Sequence, residues 1–269
     1  SLKRNSKLEL VEAKGVRVRQ SSIYTPNQND EFKISRGKFS DYLTCPRCFY
    51  LDRVKGLASP DMPGWTLNET TDLLLKKEFD ECREKQIPHR IFEENNLKHV
   101  VPFAHPDMDK WRDSLRNGLM AKYNNIILTG GVDDIWQDTN TKKLIVVDYK
   151  SQASRYMVET EAYLASPYHG GYKTQMDFYA FLLKEMGFEV DETSYFLVCN
   201  ADRNAEGFYG KMDFFETLVP YKWSTDWIPE QLSNMLKTLN STEIPEGNTS
   251  CMNCAYARQR AQYDSLKME

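Results

Sequence analysis

The sequence has no apolar run of membrane-spanning length, and its opening residues, Ser1-Leu-Lys-Arg-Asn, lack the apolar segment of a secretory signal. Both absences lead us to expect a cytoplasmic protein without membrane association. Histidine is scarce, with four in 269 residues, and His89 and His99 read as ordinary surface or packing residues. Internal repeats and low-complexity tracts are absent, which excludes a solenoid. Net positive charge is absent as well, and −4 overall argues against a protein that coats DNA uniformly. That average hides an asymmetry. Residues 1–38 hold nine Lys or Arg against four Asp or Glu, a net +5, so the remainder carries −9. Residues 1–33 read as a basic, flexible arm whose Lys3, Arg4, Lys7, Lys14, Arg17 and Arg19 read first as solvated tail residues and, as the alternative, as phosphate contacts. A folded domain is expected over 34–269.

What the chain does contain is enough apolar residue, 41% with 12% aromatic, for one large core or two small ones. The most informative stretch is Ile126–Ser151. Ile126, Ile127, Leu128, Val132, Ile135 and Trp136 are strand formers, and Leu144-Ile-Val-Val147 reads as a buried strand. Asp138-Thr-Asn-Thr141 between them has turn chemistry. A tip centred there places Asp133 opposite Val146, with Asp148 and Lys150 on the same face. Asp133 and Asp148 become diagonal neighbours, about 7–8 Å apart at Cβ. Charges at the end of such an apolar strand must be paired, metal-bound or wet. An ordinary ion pair satisfies this. So does a hydrolytic site in which Asp133 and Asp148 hold Mg²⁺ or Mn²⁺ and Lys150 orients water or stabilises developing charge. Gly130-Gly131 fits a close backbone approach.

At these residues a resemblance enters. Gly130-Gly-Val-Asp133, then Asp148-Tyr-Lys150, then Gln175-Met-Asp-Phe-Tyr179, resembles the PD-(D/E)XK nuclease superfamily in its RecB-like branch, which includes CRISPR-associated adaptation nucleases. The resemblance implies an α/β, restriction-endonuclease-like fold with a central mixed β-sheet flanked by helices. It also implies metal-dependent hydrolysis of DNA, by an exonuclease on single strands or ends. Gln175 and Tyr179 share one face of a helix over 172–186 and are expected to support the site from the substrate side. The carbonyl of Tyr149 is expected to complete the metal shell.

Upstream, residues 40–56 read as helix broken by Pro46, residues 60–64 as a loop, and 67–80 as a strong helix capped by Thr66 or Asn68. On that helix Asp72, Leu75 and Phe79 share a face. The family places a metal-binding His or Glu there. Since this helix has no His, Asp72 is the candidate ligand by elimination, with Glu69 and Glu78 behind it. Residues 89–103 look irregular or weakly β, 109–120 amphipathic, and 194–200 and 207–221 like strands, with a last helix over 227–239. The long aromatic segment 155–171 beside the candidate site reads as a gate or as packing.

Six cysteines without an export signal point away from disulfides. Cys82 and Cys199 read as inert core thiols. Cys45-Pro-Arg-Cys48 and Cys251-Met-Asn-Cys254 are two C-x-x-C pairs, a strong signal for a four-thiolate metal site joining the chain ends. The resemblance implies a [4Fe–4S] cluster, but its last cysteine position is Arg260 here and Cys48 takes its place, so Zn²⁺ suits the set equally. DNA is the expected partner, and protein partners are not legible. The alternatives are a non-cleaving nucleic-acid-binding or scaffold protein on the same fold, and a Cys-metal redox sensor. An acid from the 67–82 helix reaching Asp133 and Asp148 discriminates the first of these from the nuclease.

Overall fold

The computed structural model of the protein describes residues 2–60 and 64–265. Residues 61–63 of the expected 60–64 loop lie outside them. In chain order the elements are β1 (Phe32–Ser35), α1 (Arg36–Thr44), α2 (Pro46–Arg53), α3 (Thr66–Lys85), α4 (Arg90–Glu94), β2 (Val100–Pro102), α5 (Met108–Arg112), β3 (Leu119–Tyr123) and β4 (Ile126–Gly130). They continue with β5 (Asp134–Asp138), β6 (Leu144–Gln152), α6 (Thr160–Ala165), α7 (Gly170–Glu185), β7 (Thr193–Ala201), β8 (Phe214–Lys222), α8 (Ile228–Leu239) and α9 (Met252–Ser265). The result is the expected α/β fold with a mixed sheet and flanking helices. Among the described residues no helix is long and apolar enough to cross a membrane.

Two compact units result. One comprises residues 1–64, 123–127 and 229–269; the other comprises 65–122 and 128–228. In the first, Ser35 caps α1 by accepting from the Lys38 amide. Pro46, which lacks an amide hydrogen, opens α2 at its first turn. The Tyr24 hydroxyl donates to Asn240 and that of Tyr50 to the Ser241 carbonyl, both at 2.9 Å. Arg17 pairs with Asp52 at 2.5 Å.

The second unit is built on a five-stranded sheet in the order β2-β5-β6-β7-β8. Only β6 and β7 run parallel; the other neighbours are antiparallel. Strand alternation gives β6 two distinct faces. Val147 and Tyr149 share a core with Leu75 and Phe79 of α3 and with Trp136 of β5. Phe79 stacks on Trp136 at 5.3 Å, on Tyr149 at 5.7 Å and on His89 at 4.0 Å. His89 therefore packs, and its Nδ1 also accepts from the Ile91 amide at the start of α4. The opposite face of β6 carries Asp148 and meets α7 through Gln175.

Several boundaries depart from expectation. Trp65, with no side-chain cap bond, precedes α3 instead of Thr66 or Asn68. Within residues 109–120 the helix is only the short α5, which ends at Arg112, and β3 begins at Leu119. β8 begins at Phe214 and not near 207, and Val16 makes one isolated bridge to Leu57. The β5–β6 register is shifted by two residues: Ile135, not Asp133, lies opposite Val146. Asp138 accepts from the amides of Asn140 and Thr141, and Lys142 adopts φ 62°, so the turn extends to Lys143. That longer turn brings Asp133 level with Asp148 and not diagonal to it.

Phe79 fixes α3 to the strands that carry the candidate site. Phe79→Ala should lower stability by about 3–5 kcal/mol in urea titration; a loss under about 1 kcal/mol would contradict this packing.

Candidate active site

All the oxygen-bearing candidates lie in the second unit. Asp148 is fully buried in mid-strand. One of its carboxylate oxygens pairs with Lys150 Nζ, two residues on and on the same face. The other accepts from Gln175 Nε2 at 2.5 Å. Gln175 Nε2 also donates to the Tyr179 hydroxyl, which in turn donates to the Gly131 carbonyl at 2.6 Å. One helix turn thus ties Asp148 to the backbone that leads into Asp133. Both Gln175 and Tyr179 are buried, so what they touch is the site's own framework.

The close approach explains the glycine pair. A Cβ on Gly130 would stand 2.7 Å from Tyr179 Cε1, and one on Gly131 would stand 2.7 Å from Ser114 Cα, which is backbone and cannot yield.

Asp133 is half-buried just before β5, and its Oδ2 accepts from the Tyr149 amide at 2.9 Å. From α3, Lys76 Nζ lies 2.8 Å from Asp72 Oδ2 and 3.9 Å from Asp133 Oδ1. Asp72 of α3 is thus linked to Asp133 through the Lys76 ammonium. Asp72 Oδ1 is buried and has no hydrogen-bond partner among the described residues. Glu69 is exposed, and Glu78 is engaged by His89 at 3.0 Å and Arg90 at 3.2 Å. Lys76 escaped the sequence reading, although its i, i+4 spacing from Asp72 was a usable signal.

Burial and like charge together shift the carboxyls of this cluster. Burial, then the charge of Asp148, pushes the Asp133 carboxyl up to about 7. Burial, then Asp133, raises Asp72. Burial opposes the ammonium of Lys150, but Asp148 and Asp133 outweigh it and hold it protonated beyond the ordinary range. An all-oxygen donor set with excess negative charge and one orphaned buried carboxylate oxygen suits a hard divalent cation.

Beneath the pair lies a second missed cluster. Asp134, fully buried, accepts from Arg112 Nη2 at 2.9 Å, from the Tyr149 hydroxyl at 2.8 Å and from Trp136 Nε1 at 3.3 Å, and also pairs with Arg83.

A model of the PD-(D/E)XK nuclease superfamily matches residues 33–259. The chain belongs to that superfamily. Nucleic acid is accordingly the class of substrate its fold implies. No curated protein matches it. Among solved structures it is similar to an Eubacterium rectale chain described as "Putative exonuclease", with 12% identity, 88% of each chain covered and a TM-score of 0.40.

The four cysteines of the two C-x-x-C pairs meet in the first unit of this superfamily member, and their sulfurs all lie within 4.8 Å of one another. Cys45–Cys254, Cys48–Cys251 and Cys48–Cys254 are 3.7, 3.6 and 3.4 Å apart. Burial acts to raise the Cys45 thiol, but the amides of Cys48 and Asn248 and the neighbouring thiols bring it down to about 7. Burial and those same neighbours raise Cys48. Cys199, buried in β7, is pushed up to about 12 by burial, as an inert thiol would be.

A carboxyl whose pKa is higher folded than unfolded stabilises fully below its unfolded value, about 4, and loses that contribution as pH rises through the folded value. In metal-free buffer, urea titrations should show stability falling from pH 4 to about 7, with Asp133→Asn removing much of the slope. Identical pH profiles for the two proteins would mean that Asp133 is not crowded as described.

Proposed function

We propose that the protein is a Mg²⁺- or Mn²⁺-dependent deoxyribonuclease, acting as an exonuclease on single strands or DNA ends. The observation that carries this reading is the coupling of Asp133 to the buried Asp148 on one side and, through Lys76, to Asp72 on the other, with Lys150 paired to Asp148. Asp133 and Asp148 would hold the metal, with the Tyr149 carbonyl and Asp72 completing its shell. A bound ion of this kind supplies Lewis-acid activation of a water and of the scissile phosphate.

The chain's own groups do the rest. Lys150, kept charged by its carboxylate neighbours, donates to a phosphoryl oxygen as negative charge builds there, and a fixed donor is most effective where charge develops. Gln175 occupies one lone pair of Asp148 and so leaves the other oxygen aimed toward Lys150. Tyr179 holds the Gly131 carbonyl and thereby the approach of Asp133. In this reading Gln175 and Tyr179 are positioning residues. Exposed basic residues of segment 1–33, such as Lys3 and Lys14, would add non-specific phosphate contact.

One observation favours the non-cleaving alternative: the Lys76 ammonium already neutralises Asp72 and approaches Asp133, where a metal would compete with it. An assay with a labelled single strand decides. Mn²⁺ should support degradation, and Asp148→Ala should reduce the rate by at least about 10³-fold. Asp72→Ala should raise the Mn²⁺ requirement by about ten-fold. Full activity in Asp148→Ala would end this mechanism.

For the cysteine centre we propose one tetrahedral Zn²⁺ in preference to a [4Fe–4S] cluster. Zn–S bonds of about 2.3 Å in a tetrahedron set neighbouring sulfurs roughly 3.8 Å apart, which is the spacing the contacts approach. In a four-iron cluster each thiolate has its own iron and the core lies between the sulfurs, which forces them well apart. Such a centre ties α2 to α9, and structural zinc of this kind can contribute about 10 kcal/mol or more to folding. Elemental analysis should find one zinc per chain and no band near about 400 nm; four irons per chain with that band would reverse the assignment.

A further inference from the structure

Beyond Lys150 the site-bearing face of β6 continues into Gln152, since residues 148, 150 and 152 alternate onto one side. Gln152 opens an accessible cavity of about 240 Å³. Ser154, Tyr156, Met157, Tyr163 and His169 line it further. A continuous set of rings joins this cavity to the reactive groups. Lys150 Nζ stands 4.6 Å from the Tyr172 ring centre, Tyr172 stacks on His169 at 5.2 Å, and His169 meets Tyr163 at 4.0 Å. Tyr163 also packs on Phe196, the register neighbour of Asp148.

Within this wall one group stands out. Tyr163 is buried, at 5% exposure, yet its hydroxyl has no hydrogen-bond partner among the described residues. Leaving a buried hydroxyl unpaired is costly, and phenylalanine would fill the same space without that cost. After burial, the nearby Tyr172 and Asp148 raise this phenol further, which holds the proton on the oxygen and keeps it a donor. His169 Nδ1 is tied to the Tyr163 carbonyl at 2.8 Å, which fixes the imidazole against the ring.

At the rim Tyr156 is 82% exposed, and Arg155 beside it is exposed too. Glu159 is the one anionic residue of the lining, and it is exposed to solvent. Solvated aromatic faces beside a cation are what an unstacked base and its phosphate engage. The volume is below the roughly 300–1,000 Å³ of ordinary small-molecule pockets, a size that matches a single base.

We propose that this cavity receives the unpaired nucleotide adjoining the scissile phosphate, with the Tyr163 hydroxyl donating to that nucleotide's phosphate oxygen and Tyr156 stacking on its base. The proposal rests on the hydrolytic reading and deepens it by naming a subsite for one unpaired nucleotide beside that centre.

The test is binding of a fluorescent single-stranded oligonucleotide, and of its blunt duplex, in Ca²⁺ buffer, together with thermal unfolding. Tyr163→Phe should weaken single-strand binding roughly ten-fold, leave duplex binding unchanged, and leave Tm unchanged or raised because an unpaired hydroxyl has been removed. Tyr156→Ala should weaken the single strand several-fold without moving Tm. Unaltered single-strand affinity in Tyr163→Phe would overturn the proposal, and so would a Tm drop of the kind expected when a hydroxyl bonded within the protein is lost. If Tyr163→Phe weakens binding but the wild type never cleaves with Mn²⁺, the subsite stands and the hydrolytic reading fails. If the wild type cleaves and Tyr163→Phe binds normally, the reverse holds.

Discussion

The geometry of the site depends on a carboxylate outside it. Asp134 has no solvent exposure, and a bare charge there would be prohibitive. Two guanidinium groups, a phenol and an indole N–H converge on it, and Asp80 shares both arginines. Buried networks of this kind gain little net stability over apolar packing, but losing one member strands a charge. Their use lies in fixing one arrangement. Asp134 is peptide-bonded to Asp133, and its partner Tyr149 sits between Asp148 and Lys150 in β6. The phenol of Tyr149 binds Asp134 while its amide binds Asp133, so a single residue holds both ends of the carboxylate pair in register. The two faces of β6 therefore divide the work: Tyr149 anchors downward into the α3 core, and Asp148 and Lys150 stand on the side met by α7.

That division decided what was legible in the sequence. Strand alternation and the apolar run Leu144–Val147 were enough to put Asp148 and Lys150 on one face, because period two leaves no other choice once the strand is recognised. Helical spacing likewise brought Asp72 to the apolar stripe of Leu75 and Phe79. The register failed by two residues because it rested on the turn. Lys142 in a left-handed conformation carries no distinctive sequence mark, unlike glycine or asparagine. Asp80, Arg83, Arg112 and Asp134 were invisible for another reason. Each reads as an ordinary solvated charge, and only the tertiary fold brings them together under Trp136 and Tyr149. Helix α9 was missed because it buries only Cys254, so no apolar period announces it.

Gln175 and Tyr179 show how a motif can be found while the partners of its side chains stay illegible in sequence. Their four-residue spacing places them on one helix face, which suggested contact with substrate. Both are buried, and their bonds run to Asp148 and to the Gly131 carbonyl. The glycine pair and the tyrosine are thus one device. Without a Cβ at Gly130 the Tyr179 ring can lie against the strand, and only from there does its hydroxyl reach the carbonyl ahead of Asp133.

Charge balance supplies the last step. Asp72, Asp133 and Asp148 bring three negative charges when ionised, and Lys76 and Lys150 return two. A site left at −1 repels a phosphodiester; burial first, and this crowding of like charge second, raise the Asp133 and Asp72 carboxyls. Protonating one carboxyl only reaches neutrality, whereas a divalent cation would carry the balance to +1 and would make the site attract the anion it is proposed to cut.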